Sequence, residues 1–158
     1  MKPLIALLSV FGGALLVSQL ATGNGHLIFA GNLAMCLMLL LTAAGHWMFT
    51  KGMTMMIPSV LPYRKGLVYL SGVVEALLGI ALLMPGYRSS AAYALIVLFI
   101  LLLPANIYAA VKQINMEKAD YSGQGPAYLW FRIPEQLLFI AWVCYFSLGA
   151  GVLGAINF

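Results

Sequence analysis

Five polar side chains inside or at the ends of long apolar runs are the groups of this sequence that could do chemistry: His46, Glu75, Asn106, Arg132 and Glu135. An ionisable group at the centre of a membrane span costs about 2.5–3.5 kcal/mol on insertion scales, so each needs a partner or a purpose. If the apolar runs are antiparallel helices, all five fall in the same half of the bundle, and Glu75 lies deepest, roughly 12 Å from the start of its helix at 1.5 Å per residue. Polar groups sent to one depth by four helices are what a shared buried site looks like, a polar pocket for a ligand. Each group also has a local reading. Arg132 and Glu135, three apart, can pair on one helix face, and Arg132 is near enough to the interface to snorkel. His46 can cap the free carbonyls of its helix, and Asn106 can satisfy backbone released by Pro104. Glu75 has no sequence-local counter-charge. Gly72, Ala76 and Gly79 form a small-residue stripe on its face, which puts it at a helix–helix contact. A contact from Glu75 to Arg132, direct or through water, is the expected pairing.

Other chemistries fail on spacing. His26 and His46 stand twenty residues apart, roughly 30 Å along a helix, too far to ligate one haem. Cys36 and Cys144 sit singly in apolar runs without a CxxC, which leaves no thioredoxin-like pair and no zinc or iron–sulfur cradle, and reads as two buried small hydrophobes. No GxGxxG, P-loop, HExxH or Ser-His-Asp arrangement is present. Trp47, Tyr63, Tyr69, Tyr108, Tyr128 and Trp130 lie near one boundary and read as an aromatic belt. No metal site and no intrinsic cofactor are expected.

The elements that would position these groups follow from composition. The 158 residues are 63% hydrophobic and 8% charged, whereas soluble domains are roughly half apolar and about a quarter charged. The fold class predicted is all-α, a polytopic transmembrane bundle in one domain, residues 1–158. Spans are expected at about 3–20, 27–49, 67–84, 91–111 and 129–148. The first run has no good small-x-small cleavage site after it and is read as a span rather than a signal peptide. Residues 50–66, with Met53, Met55, Met56, Pro58 and Pro62, are too apolar for an ordinary loop and are expected as an ordered interfacial segment. Pro85-Gly86 ends the third span, Pro104 should kink the fourth or loosen its last turns, and 112–126 reads as a polar loop. The formal charge of +4 comes from eight scattered Lys and Arg rather than a basic face, so no nucleic acid is expected. With the N-terminus cytoplasmic, Lys2, Lys51, Arg64, Lys65, Lys112 and Lys118 fall inside and Arg88 outside, which fixes the orientation and places the neutral tail Ala155-Ile156-Asn157-Phe158 outside.

Four blocks between Leu27 and Leu148 resemble DoxX-type membrane proteins, specifically the long-loop DoxX-like group of Bacteroidetes-type bacteria. They are Ala44-Gly45-His46-Trp47-Met48-Phe49; Met56-Ile57-Pro58-Ser59-Val60-Leu61-Pro62; Ser71-Gly72-Val73-Val74-Glu75 with Gly79; and Leu103-Pro104-Ala105-Asn106-Ile107-Tyr108 followed by Trp130-Phe131-Arg132-Ile133-Pro134-Glu135-Gln136. The resemblance implies a four-helix core, with residues 3–20 as an extra N-terminal helix, in the bacterial cytoplasmic (inner) membrane. It carries His46, Glu75, Asn106 and Arg132 over as site residues; Glu135 departs from the family's pattern. The function it implies is a small membrane subunit of a quinone-linked or other redox system, with a bound quinone or lipid and a partner redox subunit. The alternative is a non-enzymatic bundle that binds or transports a lipid or small solute, or assists assembly of another membrane protein. Membrane lipids are the partners common to both.

Overall fold

The computed structural model describes residues 2–23 and 26–149, and all regular structure among them is helical. Six α-helices run in order: α1 (Lys2–Thr22), α2 (Leu27–Met48), α3 (Thr50–Met56), α4 (Arg64–Ala81), α5 (Arg88–Val111) and α6 (Leu129–Val143). A 3-10 turn at Gly125–Tyr128 leads into α6, and a π-helical turn at Cys144–Leu148 follows it. Three helices are long and apolar enough to cross a membrane: Lys2–Ala21, Leu27–Met48 and Arg88–Val111. The helices depart from the expected spans by a few residues. α4 begins at Arg64 rather than at residue 67 and stops at Ala81, because turns already occupy 82–87 ahead of and through Pro85-Gly86. α5 starts at Arg88 and runs through Pro104 without ending. Asn24 and Gly25 of the expected turn, and the tail assigned to the outer face, lie outside the described residues.

α2 is the spine, because small and flexible residues (Ala30, Gly31, Ala34, Met35, Met38, Leu39) bury nearly all of one side of it. It packs most extensively against α1 and α4. The core between the helices holds Leu7, Met35, Met38, Leu82, Leu95 and Val143, each almost fully removed from solvent. Ile5, Leu16, Val17, Leu20 of α1 and Val97, Ile100, Leu101 of α5 face outward, the pattern of helices whose surroundings are as apolar as their contacts.

The ends of the bundle differ. At one, Lys2 pairs with Glu117 across 115 residues of sequence, 2.5 Å apart, which sets the start of α1 beside the 112–126 segment. α3 lies against the same segment, since a Cβ at Gly52 would stand 2.0 Å from the Met116 carbonyl oxygen. Glycine is therefore required at 52 for this approach. The segment expected as a loop is a tightly built turn. Asn115 Oδ1 accepts from the backbone N–H of Glu117 and Lys118 (3.1 Å each), Asn115 and Asp120 form an antiparallel bridge, and Gly123 N–H donates to Gln113 O (2.7 Å). The Ser122 hydroxyl and backbone N–H both donate to Asp120, holding its carboxyl below the usual carboxylate range.

The two ends of the chain's apolar part are tied at the opposite side. Asn32 Nδ2 donates to Phe146 O (3.0 Å) within the π-helical turn, Ser147 Oγ donates to Asn32 Oδ1 (2.6 Å), and Trp142 Nε1 donates to Gly31 O (3.0 Å). A π turn leaves carbonyls out of α-register, and the buried amide of Asn32 takes up one of them.

Candidate functional site

On α2, Thr42 and His46 stand one turn apart on a single face. His46 Nδ1 is 2.9 Å from Thr42 O; a carbonyl only accepts, so Nδ1 carries the hydrogen and Nε2 is left to face outward from α2. Glu75 of α4 meets it there, with Oε1 3.8 Å from His46 Nε2 and Oε2 accepting from Thr42 Oγ1 at 2.9 Å. His46 and Glu75 are 8% and 5% exposed. The glycines of α4 make this meeting possible: a Cβ at Gly72 would lie 2.9 Å from His46 Cβ, and one at Gly79 would lie 3.2 Å from Leu39 Cβ. The Gly72, Glu75 and Gly79 stripe therefore faces α2 at a helix–helix contact, as its small residues predict.

Arg132 does not take the place expected of it. Its Nη1 donates to Glu135 Oε2 at 2.8 Å, three residues along α6, and the guanidinium lies 5.7 Å from the centre of the Tyr128 ring. No ion pair joins it to Glu75 among the described residues, although its charge acts on that carboxyl. Local pairing wins because two groups already on one helix face need no further ordering to meet. Glu135 is buried.

Asn106 of α5 points across to α6, with Nδ2 3.4 Å from Gln136 Oε1, while Gln136 Nε2 donates to Phe99 O. Asn106 thus joins α5 to α6 through Gln136, and Gln136 supplies a donor to backbone within the stretch preceding Pro104. The five expected residues form two adjoining groups: Thr42, His46 and Glu75 between α2 and α4, and Asn106, Arg132, Glu135 and Gln136 between α5 and α6.

Beside the second group lies a cavity of about 360 Å³, open at one side. Asn106, Arg132, Tyr128 and Met56 form its helical wall, and the turn from Ile114 to Gly125 closes it from the end of the bundle. The volume falls in the range of small-molecule pockets, about 300–1,000 Å³. His46 and Glu75 do not line it. Among the described residues no group of three His, Cys, Asp or Glu is placed to hold a metal ion.

Thr42, Gln136 and Asn32 are the site and core polar residues that the sequence does not single out. Thr42 carries a faint signal, one turn before His46, and Gln136 follows Glu135 directly; Asn32 has none beyond being an amide in an apolar run. Of the six aromatics expected at the boundary, Trp47, Tyr63, Tyr69 and Trp130 are exposed, whereas Tyr108 and Tyr128 are partly buried.

A family model described as a domain of unknown function, DUF8561, matches residues 35–147. The matched span holds every residue of the site and leaves α1 outside. No curated protein and no solved structure matches the chain.

Proposed function

The chain belongs to the DUF8561 family, and on that premise we propose that it is a bacterial inner-membrane protein serving a quinone-linked redox system as a small membrane subunit. The observation that carries the proposal is the cavity lined by Asn106 and Arg132 in a bundle that also buries the His46–Glu75 pair between α2 and α4. The DoxX resemblance supplies the link to quinones, and the site residues fit such a head group. A quinone presents two carbonyl oxygens to hydrogen-bond donors inside an apolar pocket. Arg132 and Asn106 are donors at the cavity wall, and the Asn106 bond to Gln136, at 3.4 Å, is longer than an ordinary N–H···O bond and open to exchange.

When bound, a quinone supplies two-electron chemistry, with the electrons delivered by a partner redox subunit. Conversion to the quinol also takes up two protons. Glu75 Oε1 and His46 Nε2, 3.8 Å apart, are each able to accept a proton, and Thr42 keeps the carboxyl aimed by donating to its other oxygen. An intramembrane carboxyl–imidazole pair of this kind is the usual material of a proton relay.

Embedding as five spans goes with this proposal. α4, at 18 residues, extends about 27 Å, and α6 with its π turn covers 20 residues, about the length needed beside a hydrocarbon core of about 30 Å. Lys51, Arg64, Lys65, Lys112 and Lys118 flank the helix ends nearest the 112–126 turn, whereas Arg88 begins α5 at the other end and donates to Leu82 O. The first end is therefore cytoplasmic. A cysteine introduced at Lys118 should react with a membrane-impermeant maleimide only from the cytoplasmic side, and one at Arg88 only from outside; the reverse pattern would refute the orientation.

Lipid extraction from purified protein followed by mass spectrometry tests the function. A quinone should co-purify with the wild type and fall about tenfold in Asn106→Leu, which deletes a donor of about 1.5 kcal/mol. Phospholipid with no quinone in the wild type would instead favour a lipid-binding bundle.

A further inference from the structure

We propose that a second cavity, which shares the Met116–Glu117 wall with the one at Asn106, is a binding site for the phosphate head group of an anionic phospholipid. It has a volume of about 360 Å³ and lies where the end of α2 and the start of α3 meet the 116–119 turn. Lys51 stands on one side and Lys118 on the other, with Trp47, Met48 and Phe49 forming the side that continues onto the outer surface of α2. Trp47 is 51% exposed and Met48 74%, so an apolar path leads from the two ammonium groups along the outside of the bundle. A phosphate between the lysines with acyl chains running over Trp47 and Met48 matches both halves of the surface.

The nearby carboxylates are already engaged, which leaves the lysines available. Glu117, which also lines the cavity, pairs with Lys2. Asp120 accepts from both the hydroxyl and the N–H of Ser122, and Lys118 acts on it only through its field. Neither Lys51 nor Lys118 has an ion pair among the described residues. The two lysine-bearing segments are also held in fixed register, because Gly52, next to Lys51, is seated directly on the backbone of Met116. The two exposed lysines are thus carried on segments in direct backbone contact. It rests on the membrane embedding proposed above and is independent of the quinone site.

Native mass spectrometry of the full chain released from mixed micelles of dioleoylphosphatidylglycerol and dioleoylphosphatidylcholine tests this. The wild type should retain phosphatidylglycerol in preference to phosphatidylcholine. Each of Lys51→Gln and Lys118→Gln should lower that retention about five-fold, and the double variant about 25-fold, the scale expected for one basic residue each at a lipid surface. Lys65→Gln, at the same end but away from the cavity, should change it little, and Asn106→Leu should lower quinone without altering phosphatidylglycerol. Equal retention in the double variant and the wild type would overturn the proposal. An equal loss in Lys65→Gln would also overturn it, showing only diffuse surface charge, as would displacement of the lipid by millimolar inorganic phosphate, showing a site for the free anion.

Discussion

Glu75→Gln is expected to destabilise the folded bundle by about 1–3 kcal/mol, the cost of disturbing buried polar groups that have no other partner. The carboxylate stands 3.8 Å from His46 Nε2 and accepts from Thr42 Oγ1. The distances rank the couplings. In double-mutant cycles read by unfolding in sodium dodecyl sulfate, Glu75 and His46 (with His46→Gln) should show an interaction of about 1–2 kcal/mol, within the range for contacting residues. Glu75 and Arg132 should couple by clearly less, since Glu135 holds the guanidinium at 2.8 Å. Additive losses for Glu75 with His46, or a larger coupling with Arg132, would contradict this ordering. The same variants separate a helix staple from a working site: if Glu75→Gln remains folded and keeps its quinone with unchanged turnover by a reconstituted partner, the pair is structural only.

Gly52→Ala should have an effect of similar size by another route. Its Cβ would fall 2.0 Å from the Met116 carbonyl oxygen and 2.6 Å from the carbonyl carbon, and what it strikes is backbone that cannot rotate aside. Overpacking costs about 1–3 kcal/mol where side chains can give, and this site should reach or exceed the upper end. α3 must then lift from the 112–126 turn, which contributes to both cavities. Amide exchange over residues 114–125 should accelerate, and retention of quinone and of phosphatidylglycerol should fall together. Gly86→Ala, with nothing within 4 Å of the added carbon, is the neutral comparison. Unchanged exchange in Gly52→Ala would mean that α3 is not held at this contact.

The long helices were legible because apolar runs of about 20 residues broken by Gly, Pro and charge admit few alternatives. The face of Glu75 was legible for a related reason: Gly72 lies three residues before it and Gly79 four after, about one turn on either side, and such a stripe belongs against another helix. What depth along a helix does not give is rotation about its axis. Helical rise puts Glu75 and Arg132 at similar levels, but only the azimuth of α6 decides which neighbour the guanidinium meets, and Glu135 on the same face was always within reach. His46 was read as a cap or a site member without a named partner; its pairing with Glu75 depends on how α2 and α4 cross. The 112–126 segment is a polar connection as read, but its internal order was not legible. Its Asn, Asp, Ser and Gly residues signal a polar loop, while the hydrogen bonds of Asn115 and Asp120 and the left-handed backbone of Gln113 and Ala119 make it a built wall of the cavity.

The bond between Ser147 and Asn32 spans 115 residues, and this separation sets a timetable for biosynthesis. At about 5–20 residues per second, the ribosome delivers Ser147 roughly 6–23 s after Asn32. Throughout that interval the amide of Asn32 sits in a newly inserted helix without the carbonyl and hydroxyl that later satisfy it, although Ile28 O offers one local acceptor. A chain truncated before Phe146 should therefore leave that amide without these two partners. The last turn of α6 and the π turn beyond it thus act as the closing stitch of the bundle, made only when nearly the whole chain has been translated.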